Sequence, residues 1–399
     1  MQVKREVLSY LLEELGNQRI LFLFGARQVG KTSLMQELAN FSKKKNKTIK
    51  YYNLELPNDS RYFAQDTADL YESLTKNVDY IFIDEFHYLK NATKLFKAIY
   101  DDTKLNIKII ASGSSAIEMH KHLKESLAGR KKNYIIRPLS FLESKQANTS
   151  FEDYLCYGGY PGLIHEDTNK QKIFYLNELV KSLLMKDIKA LINEESIGAF
   201  NNMIYSIAFN QGQVISANNL AKDYRLSQET VERYLEILTQ TYIIHKIPSY
   251  SKNLSNELKK SKKYYFYDIG MRNSIINDFE QISTRKDKGY IYEQYVCNFL
   301  IKNSTPNCEL RFWRTRNDDE IDFVLLKNNK PYIFEVKSKL KNTNIPDAMK
   351  IFIRNYRDLQ GAYIINETIS ATIEFEGVSI EFIKLIDLEQ SSILEIFEI

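Results

Sequence analysis

Residues 21–34, LFLFGARQVGKTSL, join an apolar run to a glycine-containing loop and then to a second run with helical spacing. The loop fits the pattern G-x-x-x-x-G-K-[ST]. In this pattern, glycines let backbone N–H groups wrap phosphates, the lysine reaches the β and γ oxygens, and the hydroxyl ligates magnesium. It needs a strand before it and a helix after it, and ILFLF and SLMQELANF predict both. A phosphate-binding loop is therefore favoured over an ordinary strand-to-helix turn that matches by chance.

The loop predicts ATP or GTP as the ligand, with Mg²⁺ as the accompanying metal. The dipole of the following helix adds to the attraction for phosphate. Lys31 is predicted to act in catalysis as well as in binding, and Thr32 is predicted to ligate the metal. The residues predicted to contact nucleotide are Gly25, Ala26, Arg27, Gln28, Val29, Gly30, Lys31, Thr32 and Ser33.

A chain of 399 residues exceeds the size at which one hydrophobic core keeps growing, so two to four domains are expected. No apolar run is long enough to cross a membrane, and the start MQVKREVLSYLLEEL is amphipathic rather than signal-like. The three cysteines, Cys156, Cys297 and Cys308, form no C-x-x-C pair or ligand cluster, which disfavours disulfides and structural zinc. We therefore expect a cytoplasmic protein without a membrane partner.

Net charge bears on nucleic-acid binding. It is only +4, so attraction to DNA would have to come from local patches. Lysine-rich segments occur at 43–50, 121–137 and 252–263. Such segments are commonly solvated loops, so DNA stays a possible partner rather than a firm one.

A second apolar run, YIFIDEFHYL at residues 80–89, ends in two consecutive carboxylates, which is the Walker B pattern. A buried parallel strand would deliver Asp84 to the carboxyl edge of the sheet, where a carboxylate can hold magnesium beside the nucleotide. Glu85, one residue later, is placed to orient and deprotonate the attacking water. The alternative is a buried strand that ends in a capping acid.

Five segments in this order resemble the AAA-type ATPases of bacteria and archaea that carry a C-terminal domain of unknown function and are related to STAND-like NTPases. The segments are GARQVGKT, YIFIDEFHYL, ASGSS, SLAGRKKNYIIRPLSFLE and YGGYPGL. The resemblance implies that Ser112 or Ser114 takes the place of the first sensor, contacting the γ-phosphate or the lytic water. It also implies that Pro161 belongs to the G-x-P element of a helical lid. Apart from the family, these two segments are ordinary turns.

Arg130 lies in the basic segment AGRKKN. A guanidinium at a subunit edge can stabilise charge on a γ-phosphate bound by a neighbouring molecule, as arginine fingers do. This makes Arg130 a candidate catalytic residue and a homo-oligomer a candidate assembly. A solvent-exposed arginine among other cations is the alternative.

Mixed three- and four-residue apolar spacing between residues 171 and 193 predicts amphipathic helices of a lid. Residues 215–247 then predict a winged helix-turn-helix: a helix, a turn near Arg225, a second helix capped by Ser227, and the β-like segment TYIIHKI. In a DNA reader the second helix would present its outward side chains to the major groove. These side chains are Gln228, Glu229, Glu232 and Arg233. Two of the four are acidic, so an intramolecular or protein-contact module is preferred, with DNA binding as the alternative.

The C-terminal part holds a second group of chemically active residues. Glu293 lies in the helical run GYIYEQYVCNFLIK, Asp322 in the strand-like IDFVLL, and Glu335 and Lys337 in PYIFEVKSKL. Alternate side chains of a strand share a face, so Glu335 and Lys337 point together while the residue between them enters the core.

This order of helix-Glu, strand-Asp and E-x-K resembles the PD-(D/E)XK nuclease fold. The resemblance implies that Asp322 and Glu335 ligate Mg²⁺ or Mn²⁺, with Glu293 completing the acidic site. Lys337 would orient or activate the attacking water. A nuclease-like fold can persist as a binding module, so cleavage of DNA and binding without cleavage both stay open.

The sequence thus predicts an α/β chain whose parallel P-loop sheet is followed by a helical lid, a winged helix-turn-helix and an α/β nuclease-like domain. The predicted functions are an ATP-hydrolysing switch coupled to the nuclease-like domain and, alternatively, an ATP-binding scaffold whose inactive nuclease-like domain holds protein or DNA. A phosphotransferase is disfavoured because no acceptor-binding motif is visible. The predicted domains span 1–148 (ATPase core), 149–200 (lid), 201–283 (winged helix) and 284–399 (nuclease-like).

Overall fold

The computed structural model describes residues 3–89, 91–113, 127–184, 197–251 and 262–398. Parts of the predicted lid helices (185–193) and of two lysine-rich segments (121–126 and 252–261) lie outside these ranges. Two compact units divide the chain. The first takes residues up to 147 with 160–165 and 240–243, and the second takes 148–159, 166–239 and the chain from 244 onwards.

The first unit contains a five-stranded parallel sheet in the order β2-β3-β4-β1-β5. Its strands are β1 Ile20–Phe24, β2 Ile49–Asn53, β3 Tyr80–Asp84, β4 Lys108–Gly113 and β5 Lys131–Ile135. Every residue of β1 is buried, which explains its uninterrupted apolar sequence. Because the strands are parallel, the loops that follow β1, β3 and β4 leave from the same edge. The predicted α/β class with a parallel sheet is confirmed.

Helices flank this sheet, and one of them precedes the first strand. Two short helices follow β2. Pro57 begins the first of them, and the Asp66 side chain caps the second by accepting the N–H of Ala68 at 2.8 Å. The helices of this unit are α1 Val7–Glu14, α2 Lys31–Lys44, α3 Pro57–Tyr62, α4 Thr67–Thr75, α5 Ala92–Asp101 and α6 Phe141–Lys145.

The second unit begins with helices and a small antiparallel sheet in the order β6-β8-β7. The Ser227 hydroxyl accepts the N–H of Thr230 at 3.0 Å, so the predicted cap is present. The helices are α7 Phe151–Tyr157, α8 Asn169–Ser182, α9 Ile197–Phe209, α10 Ala217–Tyr224, α11 Gln228–Gln240 and α12 Ile269–Ile276. The strands are β6 Val214–Ile215, β7 Ile244–Ile247 and β8 Lys262–Phe266. The elements expected between 215 and 247 are observed, and their interpretation as a winged helix stays a prediction.

The C-terminal part of the second unit contains a six-stranded mixed sheet in the order β13-β14-β12-β11-β10-β9. Its strands are β9 Cys308–Arg314, β10 Glu320–Lys327, β11 Lys330–Lys337, β12 Gly361–Asn366, β13 Ala371–Phe375 and β14 Val378–Lys384, and its helices are α13 Lys288–Asn303 and α14 Asp347–Asn355. Trp313, Phe352 and Tyr356 contribute stacked and edge-to-face rings to its core. The nuclease-like interpretation of this sheet stays a prediction.

Within the described residues, we find no helix with the length and apolar character needed to cross a lipid bilayer.

Candidate functional site

The predicted phosphate-binding loop connects β1 to α2. Gly25 and Gly30 have φ angles of 152° and 92°, which side chains rarely allow. A Cβ on Gly25 would also lie 2.2 Å from the carbonyl oxygen of Ile136. Glycine is therefore required at Gly25 by contact as well as by backbone angle, and helix α2 starts directly after Gly30 with its free N–H groups at the loop.

Lys31 is buried although it carries a charge, with 5% of its surface exposed. Its Nζ donates to the carbonyl oxygens of Gly25 at 3.1 Å and Ala26 at 2.8 Å. The ammonium therefore lies against the loop, as expected for a lysine that binds phosphate oxygens there. Thr32, in the first turn of the same helix, is exposed.

Asp84 ends strand β3 and is fully buried. Its Oδ1 accepts the Ser112 hydroxyl and, at 3.1 Å, the N–H of Glu85. Among the described residues, Oδ2 has no hydrogen-bond partner. A buried, unpaired carboxylate oxygen suits a magnesium ion, so the residues here fit that metal.

The charge of Asp84 also affects its neighbours. Burial raises the pKa of Tyr51, and the negative charge of Asp84 raises it further. Ser112 is hydrogen-bonded to Asp84, whereas Ser114, the other predicted sensor, lies outside the described residues. Ser112 thus connects the ends of β4 and β3 at the carboxyl edge of the sheet.

Glu85 has a left-handed backbone with φ of 54°, an uncommon conformation for a residue with a side chain. Its Oε2 lies 3.1 Å from Nδ1 of His87. Sequence reasoning overlooked His87 as a partner of the predicted base, although the spacing D-E-F-H places the two side chains within reach. The two side chains therefore face each other in the loop that follows β3.

Arg5 is a second residue that sequence reasoning missed. Its buried guanidinium donates to the carbonyl oxygens of Val29 at 3.0 Å and Arg137 at 2.7 Å, and to Glu143 Oε1 at 3.1 Å. Arg5 therefore stabilises the phosphate loop through its hydrogen bond to the carbonyl oxygen of Val29. No local pattern in the sequence points to these contacts, because the partners are distant along the chain.

Pro161, predicted from the G-x-P element, lies beside the same loop. Its Cγ is 3.8 Å from the position that a Cβ would take on Gly30. The structure therefore brings this residue of the first unit to the phosphate loop.

Arg130 lies at the amino edge of the parallel sheet, opposite the edge from which the phosphate loop leaves. Its carbonyl accepts the N–H of Ile20 at the start of β1, whereas the phosphate loop follows the end of that strand. Its guanidinium forms a bidentate ion pair with Asp101, at 2.6 and 3.1 Å. Arg130 therefore cannot contact a γ-phosphate bound by its own loop, and a role toward a neighbouring molecule stays a prediction.

The C-terminal residues predicted from the nuclease resemblance come together on β10 and β11. Asp322 Oδ2 accepts the N–H of Val336 at 2.8 Å, and the N–H of Asp322 donates to Glu335 Oε2 at 3.4 Å. Lys337 Nζ donates to Glu335 Oε1 at 2.5 Å. Glu293, on α13, accepts the Tyr265 hydroxyl at 3.1 Å.

We define the carboxylate cluster as Glu293, Asp322, Glu335 and Glu320, and the pKa values of two of its members, Glu293 and Glu335, are raised. Burial raises the pKa of Glu293 and of Glu335, and the charge of Asp322 raises both further. Lys263 opposes this effect at Glu293. Burial alone would lower the pKa of Lys263, but the surrounding carboxylates outweigh it and raise that pKa.

The metal predicted at Glu293, Asp322 and Glu335 stays a prediction. Among the described residues, no group of three or more His, Cys, Asp or Glu side chains is placed to hold a metal ion. Oxygens of these carboxylates accept backbone, tyrosine and lysine donors, with which a metal ion would have to compete.

Three family profiles match the chain. Residues 17–145 match an AAA domain, residues 148–282 match a domain of unknown function, DUF8612, and residues 288–382 match another, DUF4143. Together with the P-loop and the parallel sheet, the first match defines the N-terminal part as an AAA-type ATPase-like domain.

Distant relatives share most of the chain. An uncharacterized protein of Mycobacterium tuberculosis is 24% identical over 360 residues, which covers 90% of this chain and 78% of that protein. An uncharacterized protein of Methanocaldococcus jannaschii is 25% identical over 369 residues, covering 86% and 80%. The replication initiator DnaA bound to AMPPCP and single-stranded DNA is 17% identical with a TM-score of 0.32, covering 59% of this chain and 86% of that one. A score of 0.32 is too low to assign fold or function.

Proposed function

We propose that this chain is an ATP-binding and ATP-hydrolysing AAA-type switch protein whose nucleotide state acts on a C-terminal nuclease-like domain. Two features together carry this proposal: Lys31 is buried against the phosphate loop, and Asp84 is buried with one oxygen that accepts no hydrogen bond from the described residues. Both lie at the carboxyl edge of the parallel sheet, where nucleotide sites form. The proposed domains are 1–148, 149–200, 201–283 and 284–399.

In this proposal each residue has one role in hydrolysis. Lys31 leaves the loop carbonyls to bind the β and γ oxygens of ATP. Thr32 and Asp84 would hold Mg²⁺, which neutralises charge on the phosphates when it is bound. Glu85, oriented by His87, accepts a proton from the water that attacks the γ-phosphorus, and the bond to the β-γ bridging oxygen breaks to release ADP.

Phosphate release under steady-state conditions tests this proposal. Lys31→Ala should abolish nucleotide binding, whereas Glu85→Gln should bind ATP and hydrolyse it roughly 10²–10⁴-fold more slowly. Lys43→Ala is the matched control, because Lys43 is an exposed lysine of the same helix. A Glu85→Gln protein that turns over normally would remove Glu85 from the role of base.

The second candidate is a regulatory scaffold that binds ATP, hydrolyses it negligibly and holds DNA or a protein partner with an inactive nuclease-like domain. The ion pair between Lys337 and Glu335 favours it, since that carboxylate oxygen is already bound to an ammonium group. Measuring phosphate release with and without DNA separates the two candidates. Hydrolysis that DNA stimulates supports the switch, and negligible hydrolysis in both conditions supports the scaffold.

A further inference from the structure

Strand β8 delivers two side chains to the carboxylate cluster. Lys263 and Tyr265 are two residues apart on the strand and therefore share a face. Lys263 is 1% exposed, and its Nζ lies 2.5 Å from Glu320 Oε1. The Tyr265 hydroxyl donates to Glu293 Oε2 at 3.1 Å. One strand from outside the mixed sheet therefore supplies both a cation and a hydrogen-bond donor.

The turn before β6 closes the same side of the cluster. A Cβ on Gly212 would lie 2.7 Å from Glu293 Oε2, so the backbone there touches the carboxylate. Gln211 Nε2 donates to Gln294 Oε1 at 2.8 Å, and Gln211 Oε1 accepts the N–H of Phe266 in β8 at 3.2 Å. Strand β8 and this turn therefore both lie against the Glu293 carboxylate, which is half-buried.

The charges explain why a lysine is buried here. A lysine is almost never fully buried unless its charge is paired, because removing an ammonium from water is costly. Lys263 pairs directly with Glu320, and the negative charges of Glu293 and Asp322 also act on it. The face of the Phe312 ring, 5.4 Å from Nζ, covers it further. A divalent cation at this cluster would therefore have to compete with an ammonium that is already fixed in place.

We infer that Lys263 neutralises the carboxylate cluster in place of a divalent metal, and that β8 must leave α13 before a metal can bind there. The closed arrangement holds the small antiparallel sheet on the C-terminal sheet and keeps the cluster without nuclease chemistry. Displacing β8 would remove the ammonium and the Tyr265 donor in one movement, because both side chains belong to the same strand.

Mn²⁺ titration of the nucleotide-free full-length chain tests the inference, with free Mn²⁺ followed by electron paramagnetic resonance. Lys263→Met should bind Mn²⁺ at least about tenfold more tightly than wild type, because buried carboxylates lose their counter-charge. Lys262→Met is the matched control on the other face of β8 and should behave as wild type. Adding Glu335→Gln to Lys263→Met should abolish the gain.

Two results would overturn the inference: equally tight Mn²⁺ binding by wild type and Lys263→Met, or a wild-type Mn²⁺ site that Glu335→Gln removes. Cleavage of plasmid DNA by wild type with Mg²⁺ or Mn²⁺, lost in Lys337→Ala, would also contradict it. Phosphate release by the same variants reports on the first unit, so failure of this inference is distinguishable from failure of the proposed ATPase.

A double-mutant cycle covers the case in which Lys263→Met folds poorly. Lys263→Met combined with Glu320→Gln removes one charge of each sign and should fold. The unfolding equilibrium constant of this double variant, measured in urea, should be at least about tenfold smaller than the value expected if the effects of the two single substitutions were additive. The reason is that Lys263 and Glu320 are in direct contact. Additive effects, or a double variant no better folded than Lys263→Met, would overturn the role of Lys263.

Discussion

At the residue scale, two backbone segments of the second unit approach each other closely where α12 begins. A Cβ on Gly270 would lie 1.8 Å from the carbonyl oxygen of Tyr157. Asp268 accepts the N–H groups of Gly159 at 2.8 Å and of Met271 at 2.9 Å. The glycine therefore permits the approach of two backbone segments, and the aspartate satisfies the donors on both.

Gly270→Ala should lower the free energy of unfolding by about 3 kcal/mol, because a methyl group cannot enter without moving the backbone of Tyr157. The measurement is the urea midpoint of the full chain. Gly198→Ala is the matched control: Gly198 lies in α9, and no atom lies within 4 Å of the added Cβ. It should be neutral or stabilising by up to about 1 kcal/mol. Equal losses in the two variants would contradict this explanation.

This position shows what a local pattern can predict. Asp268 precedes a helical run and accepts the N–H of Met271, which is the capping bond that aspartate favours at a helix start. The need for glycine at position 270 could not be predicted, because it depends on Tyr157, which is distant in sequence. The same holds for Arg5, whose partners Val29 and Glu143 lie far along the chain, whereas Lys31 and Asp84 belong to contiguous patterns.

At the scale of elements, one ionic network joins α12 to the start of α13. Asp287 is hydrogen-bonded to Arg272 and accepts from Arg285 Nε at 2.8 Å and Nη2 at 2.7 Å. Both arginines are buried. Because the two guanidinium groups depend on one carboxylate, removing that carboxylate leaves buried positive charge without its main partner.

Asp287→Asn should therefore reduce the free energy of unfolding by at least about 2 kcal/mol at neutral pH, measured by urea denaturation. Asp347→Asn is the control, since the pair of Asp347 with Lys350 is solvent-exposed and its loss should change little. A loss no larger than that of Asp347→Asn would show that the network contributes little to stability.

The pH dependence of this effect has a defined sign. Burial opposes ionisation of Asp287, but the hydrogen bond from Arg285 and the charge of Arg272 outweigh it and lower the pKa from 3.8 to about 2. A folded-state pKa below the unfolded value adds stability above the unfolded pKa, which is lost as the pH falls through the folded pKa. The difference between wild type and Asp287→Asn should therefore narrow as the pH falls from roughly 4 to roughly 2.

Helices and strands could be predicted from the sequence where apolar residues recur at regular spacing. Contacts between charged side chains of elements distant in sequence could not. Strands β1, β3 and β4 coincide with apolar runs. Strand β11 buries Val336 while Glu335 and Lys337 interact, as alternation predicts. The position of Lys263 could not be predicted, because a lysine-rich segment ordinarily faces solvent. Its burial follows from the carboxylates of another sheet.

At the scale of the whole molecule, the two edges of the parallel sheet have different roles. The phosphate loop and Asp84 occupy the carboxyl edge, and Arg130 precedes β5 at the amino edge. A strand of five residues is about 13 Å long from first to last Cα, so one chain cannot bring Arg130 to its own phosphates. Any role of Arg130 in hydrolysis must therefore involve a second copy of the chain.

Arg130→Ala should accordingly leave phosphate release per chain unchanged in dilute protein. Asp101→Ala, which removes the other half of the ion pair, is the matched control for a local effect of breaking it.

If copies assemble so that Arg130 enters a neighbouring site, the rate of phosphate release per chain should rise with protein concentration, and Arg130→Ala should remove that rise. Wild-type chains mixed with an excess of Lys31→Ala chains should keep this rise in rate, because the Lys31→Ala chains still supply Arg130 to the wild-type sites. A loss of 10³-fold or more, typical of a missing arginine finger, at every dilution would contradict the position of Arg130 at the amino edge.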